Sequence, residues 1–305
     1  MRTTKYKGTI LAILAAIFWG VSGTCGQYLF EQKDISVEWL ITVRLLVSGL
    51  LVLAFTFFIQ KKAIFGIWKN GKDAGELLVF SIIGMLAVQY TYFAAIKHSN
   101  AATATVLQYS GPIIIAIYLA IKKRKLPTGK ETLAIVLAVT GTLLLVTHGN
   151  INTLAISPLA LFLGLSSAVA LAIYTLQPSR LLAKYEPSII IGWGMFCAGL
   201  AFCFIRSPWD ISGSWDNYTL INLIAIIVLG TLIAFTFYLY AVRIIGGQKA
   251  SLLASAEPLA ATILAVYWLA TPFSLVDWIG SLCIISTVFL LSRSKDEVEM
   301  DRACF

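Results

Sequence analysis

Charge is scarce in this sequence. Asp, Glu, Lys and Arg make up 12% of the 305 residues, against roughly 25% in a soluble globular domain. The few charges are bunched into short runs between long apolar blocks, 59% of the residues are hydrophobic, and the mean hydropathy is +0.85. A water-soluble domain is excluded, and lipid becomes the expected solvent. Histidine occurs twice, as His98 and His148; both fall at outer helix ends without a metal partner or a triad and are expected to be solvated. There is no Gly-rich phosphate loop, no H-x-x-x-H pair and no Ser–His–Asp arrangement, so catalysis, a bound metal, a cofactor and energy coupling by ATP all lack a foothold. The five cysteines (Cys25, Cys197, Cys203, Cys283 and Cys304) have no metal-ligand spacing. Four lie inside apolar blocks, where cysteine acts as a small hydrophobe, and no disulfide is implied. No small-residue cleavage site follows a short apolar core, so no cleavable signal peptide is expected.

What is present is a series of apolar blocks. A bilayer core of about 30 Å needs roughly 20 apolar residues in a helix. That rule gives ten approximate spans, 8–30, 37–60, 75–96, 101–121, 131–147, 157–180, 188–206, 219–242, 249–270 and 276–292, of which the fifth and tenth are short. The net charge of +8 does not point to nucleic acid, because the basic residues sit beside helix ends. Nineteen Lys and Arg fall in one set of loops and tails, from Arg2, Lys5 and Lys7 to Arg293, Lys295 and Arg302, and only Lys33, Lys97 and Arg206 fall in the other. Positive charge marks the cytoplasmic side, so both termini are expected there, in a multi-pass protein of the cytoplasmic (plasma) membrane.

Sliding the chain by 146 residues against itself lays Gly84 on Gly230, Tyr92 on Tyr238, Ala95 on Ala241, Lys97 on Arg243, Thr105 on Ser251, Pro112 on Pro258 and Glu131 on Asp277. The sequence therefore reads as an all-α integral membrane protein of ten transmembrane helices in two five-helix repeats. Residues 1–150 form the first, 151–295 the second, and 296–305 a cytoplasmic tail. Five is odd, so the second copy enters the membrane from the opposite side. Inverted repeats are a recurring design of secondary transporters, which swap inward-open and outward-open states around a central site.

Polar residues at membrane depth are the candidate site. Glu257 lies about eight residues into the ninth span, roughly 12 Å deep at 1.5 Å per residue. A carboxylate there costs about 2.5–3.5 kcal/mol; it can carry a proton, meet a cationic group, or serve structure. Arg44, in the second span, has a possible charge role toward anionic solutes, or snorkels, or pairs with an acid such as Glu257. Trp19, Gln89, Tyr92, Gln108, Tyr174 and Tyr238 complete a candidate substrate-binding cavity whose amides and aromatics suit a small amphipathic solute. Pro112 and Pro258 are read as interior helix kinks that gate the fourth and ninth spans. Each removes a backbone donor and frees a carbonyl one turn earlier, on Gln108 and Ala254.

The stretches AAIFWGVSG (Ala15–Gly23), VRLLVSG around Arg44, YFAAIKHSNAATATVLQYSGP (Tyr92–Pro112) and YLYAVRIIGGQKASLLASAEP (Tyr238–Pro258) resemble the drug/metabolite transporter superfamily, in its EamA branch of ten-helix proteins. The resemblance spans roughly 8–292. It implies a helix basket whose cavity is lined by the first, third, fourth, sixth, eighth and ninth helices, and relatives that move amino acids, nucleotide sugars or sugar phosphates. Because Glu-Pro recurs across such cargoes, the resemblance adds weight to a fold role for Glu257. It also separates the chain from small multidrug relatives, which carry a first-helix glutamate: here Trp19 and Gly20 are followed by no acid until Glu31. The expected function is alternating-access efflux of a small organic metabolite, an amino acid or related compound. The expected partners are that solute, the lipid bilayer and protons as a possible coupling ion. The alternatives are uptake or exchange of an anionic solute, and a membrane receptor or scaffold that transports nothing.

Overall fold

A computed structural model describes residues 2–123, 129–148, 156–245, 250, 253–254 and 256–292. Among them every regular element is helical. The first half comprises α1 (Arg2–Lys33), α2 (Val37–Gln60), α3 (Gly71–His98), α4 (Ala101–Gln108), α5 (Gly111–Lys123) and α6 (Gly129–Thr147). The second comprises α7 (Pro158–Leu176), α8 (Ser179–Lys184), α9 (Pro187–Phe202), α10 (residues 217–245), α11 (Ala256–Trp268) and α12 (Leu275–Ser292). The expected boundary at 150/151, the tail 296–305 and the basic residues Arg124, Lys125, Lys249, Arg293, Lys295 and Arg302 lie outside the described residues.

Five helices are long and apolar enough to cross a bilayer: Tyr6–Lys33, Val37–Ile59, Gly71–His98, Pro158–Lys184 and Asn217–Tyr238. Thr132–Leu145, Pro187–Phe202 and Leu275–Thr287 are shorter apolar helices. Their outer faces carry large apolar side chains, with Phe58 81% and Phe162 67% exposed, as a surface against lipid rather than water requires.

Side-chain caps set where helices begin. Ser36, Asn70, Asn100, Ser157 and Asp216 each accept a hydrogen bond from a backbone N–H in the first turn that follows, satisfying donors the helix leaves free. Asn70 and Asp216 are separated by the repeat offset of 146. The same offset carries a π-helical segment of α3 (Phe80–Leu86) onto one of α10 (Ala225–Ile233). Gly84 and Gly230 sit inside these segments, and a Cβ on Gly230 would run into the Ser22 side chain of α1.

Packing follows small residues. α2 lies antiparallel on α9, with Gly49 against the Phe196 backbone, Gly192 against Leu53 and Gly199 against Leu46. α6 lies antiparallel on α12, where Gly141 and Gly280 face each other's carbonyl oxygens. In a lipid solvent, close backbone approach of this kind replaces the hydrophobic effect as the force between helices. α1 packs on α10 and α11, and α7 on α3, α4 and α5.

The fourth span differs from expectation. It is not one helix kinked in its interior: α4 ends in a turn at Tyr109–Ser110, and α5 starts afresh at Gly111. Pro112 is then the second residue of a helix, where its missing N–H has no helical acceptor to lose. Pro258, by contrast, follows residues 253, 254 and 256 that are themselves helical, so its missing N–H leaves the Ala254 carbonyl free, as expected. His148, expected to be solvated, instead pairs with the buried Asp277, which also accepts from the Ser274 N–H at 2.7 Å.

Candidate functional site

Glu257 is buried in α11, beside Pro258, and its Oε2 lies 3.1 Å from the Tyr109 hydroxyl. That hydroxyl also donates to the Ala254 carbonyl. This is the carbonyl that Pro258, having no N–H, leaves without its helical donor. The turn between α4 and α5 brings Tyr109 there, so the break in one half supplies the donor that a proline withholds in the other.

Arg44 is buried in α2, 2% exposed. Its Nε donates to Thr231 Oγ1 at 2.9 Å, and its guanidinium carbon stands 4.6 Å from the centre of the Phe93 ring. Thr231 is presented by the π segment of α10, where its hydroxyl donates to the Ile226 carbonyl at 2.8 Å, five residues back. Among the described residues no ion pair joins Arg44 to Glu257, although each lies in the other's electrostatic field. The pairing considered from the sequence is therefore absent.

Tyr92 is buried against Gly23 of α1 and bonds Thr105 at 2.8 Å, which itself donates to the Ala101 carbonyl. The repeat-matched partner of Thr105, Ser251, lies outside the described residues. Trp19 packs on Phe235 and Tyr238, both at 5.1 Å between ring centres. Tyr174 packs edge-on to Phe235 at 6.3 Å and stacks on Phe80 at 5.4 Å. One aromatic chain thus ties α1, α10, α7 and α3 together. Gln89 is buried with its amide 4.0 Å from Met85 Sδ, and Gln108 is buried as the last residue of α4. The Pro112 side chain lies outside the described residues. Tyr109 and Thr231 were not marked as site residues from sequence. Gln27 was not marked either: its amide clamps the Ala101 N–H at 2.9 Å and Thr271 Oγ1 at 3.1 Å. A surface pocket between Val52, Ile191 and Tyr240 holds none of the candidates.

Polar straps tie the molecule at its two ends. Where α1 gives way to α2, Lys33 pairs with Asp216 at 2.6 Å, the Ser36 N–H donates to Ser212 Oγ at 2.9 Å, and the Trp39 indole donates to the Pro208 carbonyl at 2.8 Å. Where α2 gives way to α3, Arg180 pairs with Asp73 at 2.8 Å and with Glu76, while Lys184 and the Tyr185 hydroxyl also reach Asp73. The Lys33 ammonium and the Thr219 N–H hold the Asp216 carboxyl down at about 2. A depressed folded value means that the interaction is fully present above the unfolded value of about 3.9 and is lost as pH falls through the folded one. Asp216→Asn keeps the cap on α10 but not the charge. Its melting temperature is expected to sit below the parent's by a constant margin above about pH 4, and the margin should close toward pH 2. A margin that persists at the lower pH would remove this role.

Comparison with known proteins agrees with this architecture. The EamA-like transporter family matches residues 6–147 and, separately, 158–293. The uncharacterized inner membrane transporter YicL of Salmonella typhimurium is 43% identical over 286 residues, 94% of this chain and 95% of its own. The uncharacterized transporter YwfM of Bacillus subtilis is 25% identical over 291 residues, 94% of each chain. A solved crystal structure, 17% identical, shares the fold with a TM-score of 0.64 over 97% of this chain and 98% of its own. The molecule is a membrane transporter rather than an enzyme. More narrowly, the chain belongs to the EamA-like transporter family, within the drug/metabolite transporter superfamily.

Proposed function

We propose that this protein is a secondary transporter of ten membrane spans in two inverted five-helix repeats, moving a small organic solute by alternating access. The observation that carries the reading is the direction of matched helices. α2 and α9 are the second spans of their halves, α6 and α12 the fifth, and each pair packs antiparallel. A repeat whose matched helices run antiparallel is an inverted one. Exchanging the halves also turns the contact of α1 with α10 into that of α7 with α3. Two equivalent bundles of this kind can rock about a shared centre.

In this reading the straps at the two ends are the gates, both fastened in the structure described here. The Asp73 end and both termini face the cytoplasm, where positive charge concentrates. The solute is a small metabolite of the amino-acid type, moved outward across the cytoplasmic membrane, with protons as the coupling ion and Glu257 as their carrier.

The test is reconstitution. Solutes that thermally stabilise the purified protein are assayed for flux in liposomes, with and without a pH gradient. A receptor or scaffold predicts binding without flux. A second measurement addresses the gates. In a background without native cysteines, Ser36→Cys with Ser212→Cys is expected to arrest flux by about tenfold or more under mild oxidation, since both straps must open in turn, and reductant should restore it. Flux indifferent to the cross-link would reject that gate.

A further inference from the structure

We infer that Arg44 is the subsite for a carboxylate group on the transported solute. The inference rests on the transport reading and adds to it the chemistry of recognition. Three observations converge. First, Arg44 is 2% exposed, yet among the described residues its Nη1 meets no acceptor, and its contacts there are one hydroxyl, Thr231, and one aromatic face, Phe93. A guanidinium at membrane depth is costly unless an anion answers it. Second, the carboxyl group within its field, Glu257, is bonded to Tyr109 and, among the described residues, forms no ion pair with it. Third, two further buried groups without a partner among the described residues, the Trp19 indole N–H and the Ser22 hydroxyl, lie one turn apart on the face of α1 turned to the same stretch of α10. Ser22 meets Gly230, beside Thr231, and Trp19 meets Phe235, one turn further on.

The charge count selects the class of anion. One guanidinium matches one monoanion, and its planar fork fits the two oxygens of a carboxylate. A phosphate dianion would bring a second, unanswered negative charge toward Glu257. The Phe93 face under the guanidinium and the bond from Nε to Thr231 keep the fork in one orientation and leave Nη1 as the free donor. Thr231 is therefore a positioning residue, and the π segment that carries it is part of the site. Insertion of such a turn at a functional position is common.

The test compares acids with their amides. L-phenylalanine is set against L-phenylalaninamide, and benzoate against benzamide, by thermal stabilisation of the purified full-length protein and by flux in liposomes. The parent is expected to prefer each acid by about tenfold or more in half-saturating concentration, the scale of a hydrogen bond to a charged group. Arg44→Leu should abolish that preference and Arg44→Lys should reduce it, the charge remaining but not the fork. Thr231→Val, nearly isosteric, guards against misfolding at Arg44. It should weaken the preference for the acids over the amides several-fold, a change in selectivity that a merely structural role would not produce. Acid-selective binding that survives Arg44→Leu, or acids and amides recognised alike, overturns the inference even where flux is found. Acid-selective, Arg44-dependent binding without flux supports the subsite and rejects transport instead.

Discussion

A leucine at Gly49 is expected to cost the protein about 3 kcal/mol or more, the upper range for overpacked interiors. A Cβ at that position falls 2.6 Å from the Phe196 nitrogen and 2.8 Å from its Cα. These are backbone atoms in a helix and cannot turn aside. The clash must be relieved by moving α9 away from α2, and the seam continues through Gly192 and Gly199, so the whole contact is disturbed. Between helices in lipid, close contact is the principal attraction, and no expulsion of water compensates its loss. The measurement is the fraction of monodisperse protein left after heating in detergent. Gly75→Ala provides the opposite sign: a Cβ there meets nothing within 4 Å, and alanine gains up to about 1 kcal/mol of helix propensity. A Gly49→Leu protein that melts with the parent would show that α2 and α9 are not held by this approach.

How much of this could be read from the sequence depended on how local the cause was. Apolar blocks mark helices because lipid imposes one requirement on every residue of a span, and the offset that lays Gly84 on Gly230 also located the paired π segments. The π geometry itself was hidden, since an extra residue in a turn leaves composition unchanged. The polar run Gln108–Pro112 is too short to divide a block of spanning length, so the break between α4 and α5 read as a kink at Pro112. Arg44 was visible as a charge in the membrane, but its partner Thr231 comes from 187 residues away. Tyr109 was similarly opaque, because the carbonyl and carboxyl that define its role lie 145 and 148 residues downstream. The freed carbonyl at Ala254 was foreseen from Pro258; the side chain that answers it was not.

The two straps add a point that neither half shows alone. Lys33 and Arg180 both lie at the end of the first span of their halves, and Asp216 and Asp73 both stand where the third begins. In each strap the cation comes from one half and the acid from the other, so neither end can open without the halves moving relative to each other. The straps differ in number of bonds. Two cations converge on the fully buried Asp73, whereas Lys33 meets a half-exposed Asp216. The Lys33–Asp216 end is therefore expected to open more readily, because an exposed pair gains little in water.

Glu257→Gln is expected to abolish the pH dependence of transport while sparing the fold. The phenol of Tyr109 has one proton and faces two oxygens, the Ala254 carbonyl and Glu257 Oε2. When that proton goes to Ala254, the contact with Glu257 is a hydrogen bond only if the carboxyl brings a proton of its own. Glutamine supplies a permanent N–H in its place, so the arrangement persists and nothing can be released. Accumulation driven by a pH gradient should fall by about tenfold or more, while exchange at equal pH stays near the parent's rate, as loss of an ionisable group in a proton pathway predicts. Glu257→Leu removes the contact as well as the proton and should lower exchange too. Tyr109→Phe removes the contact but keeps the ionisable group: it strands the Ala254 carbonyl, a loss of about 1–3 kcal/mol in stability, and takes the hydroxyl from a carboxyl that can still carry a proton. If gradient-driven accumulation survives Glu257→Gln unchanged, the proton travels elsewhere and Glu257 is a structural acid that secures α11 to the α4–α5 turn.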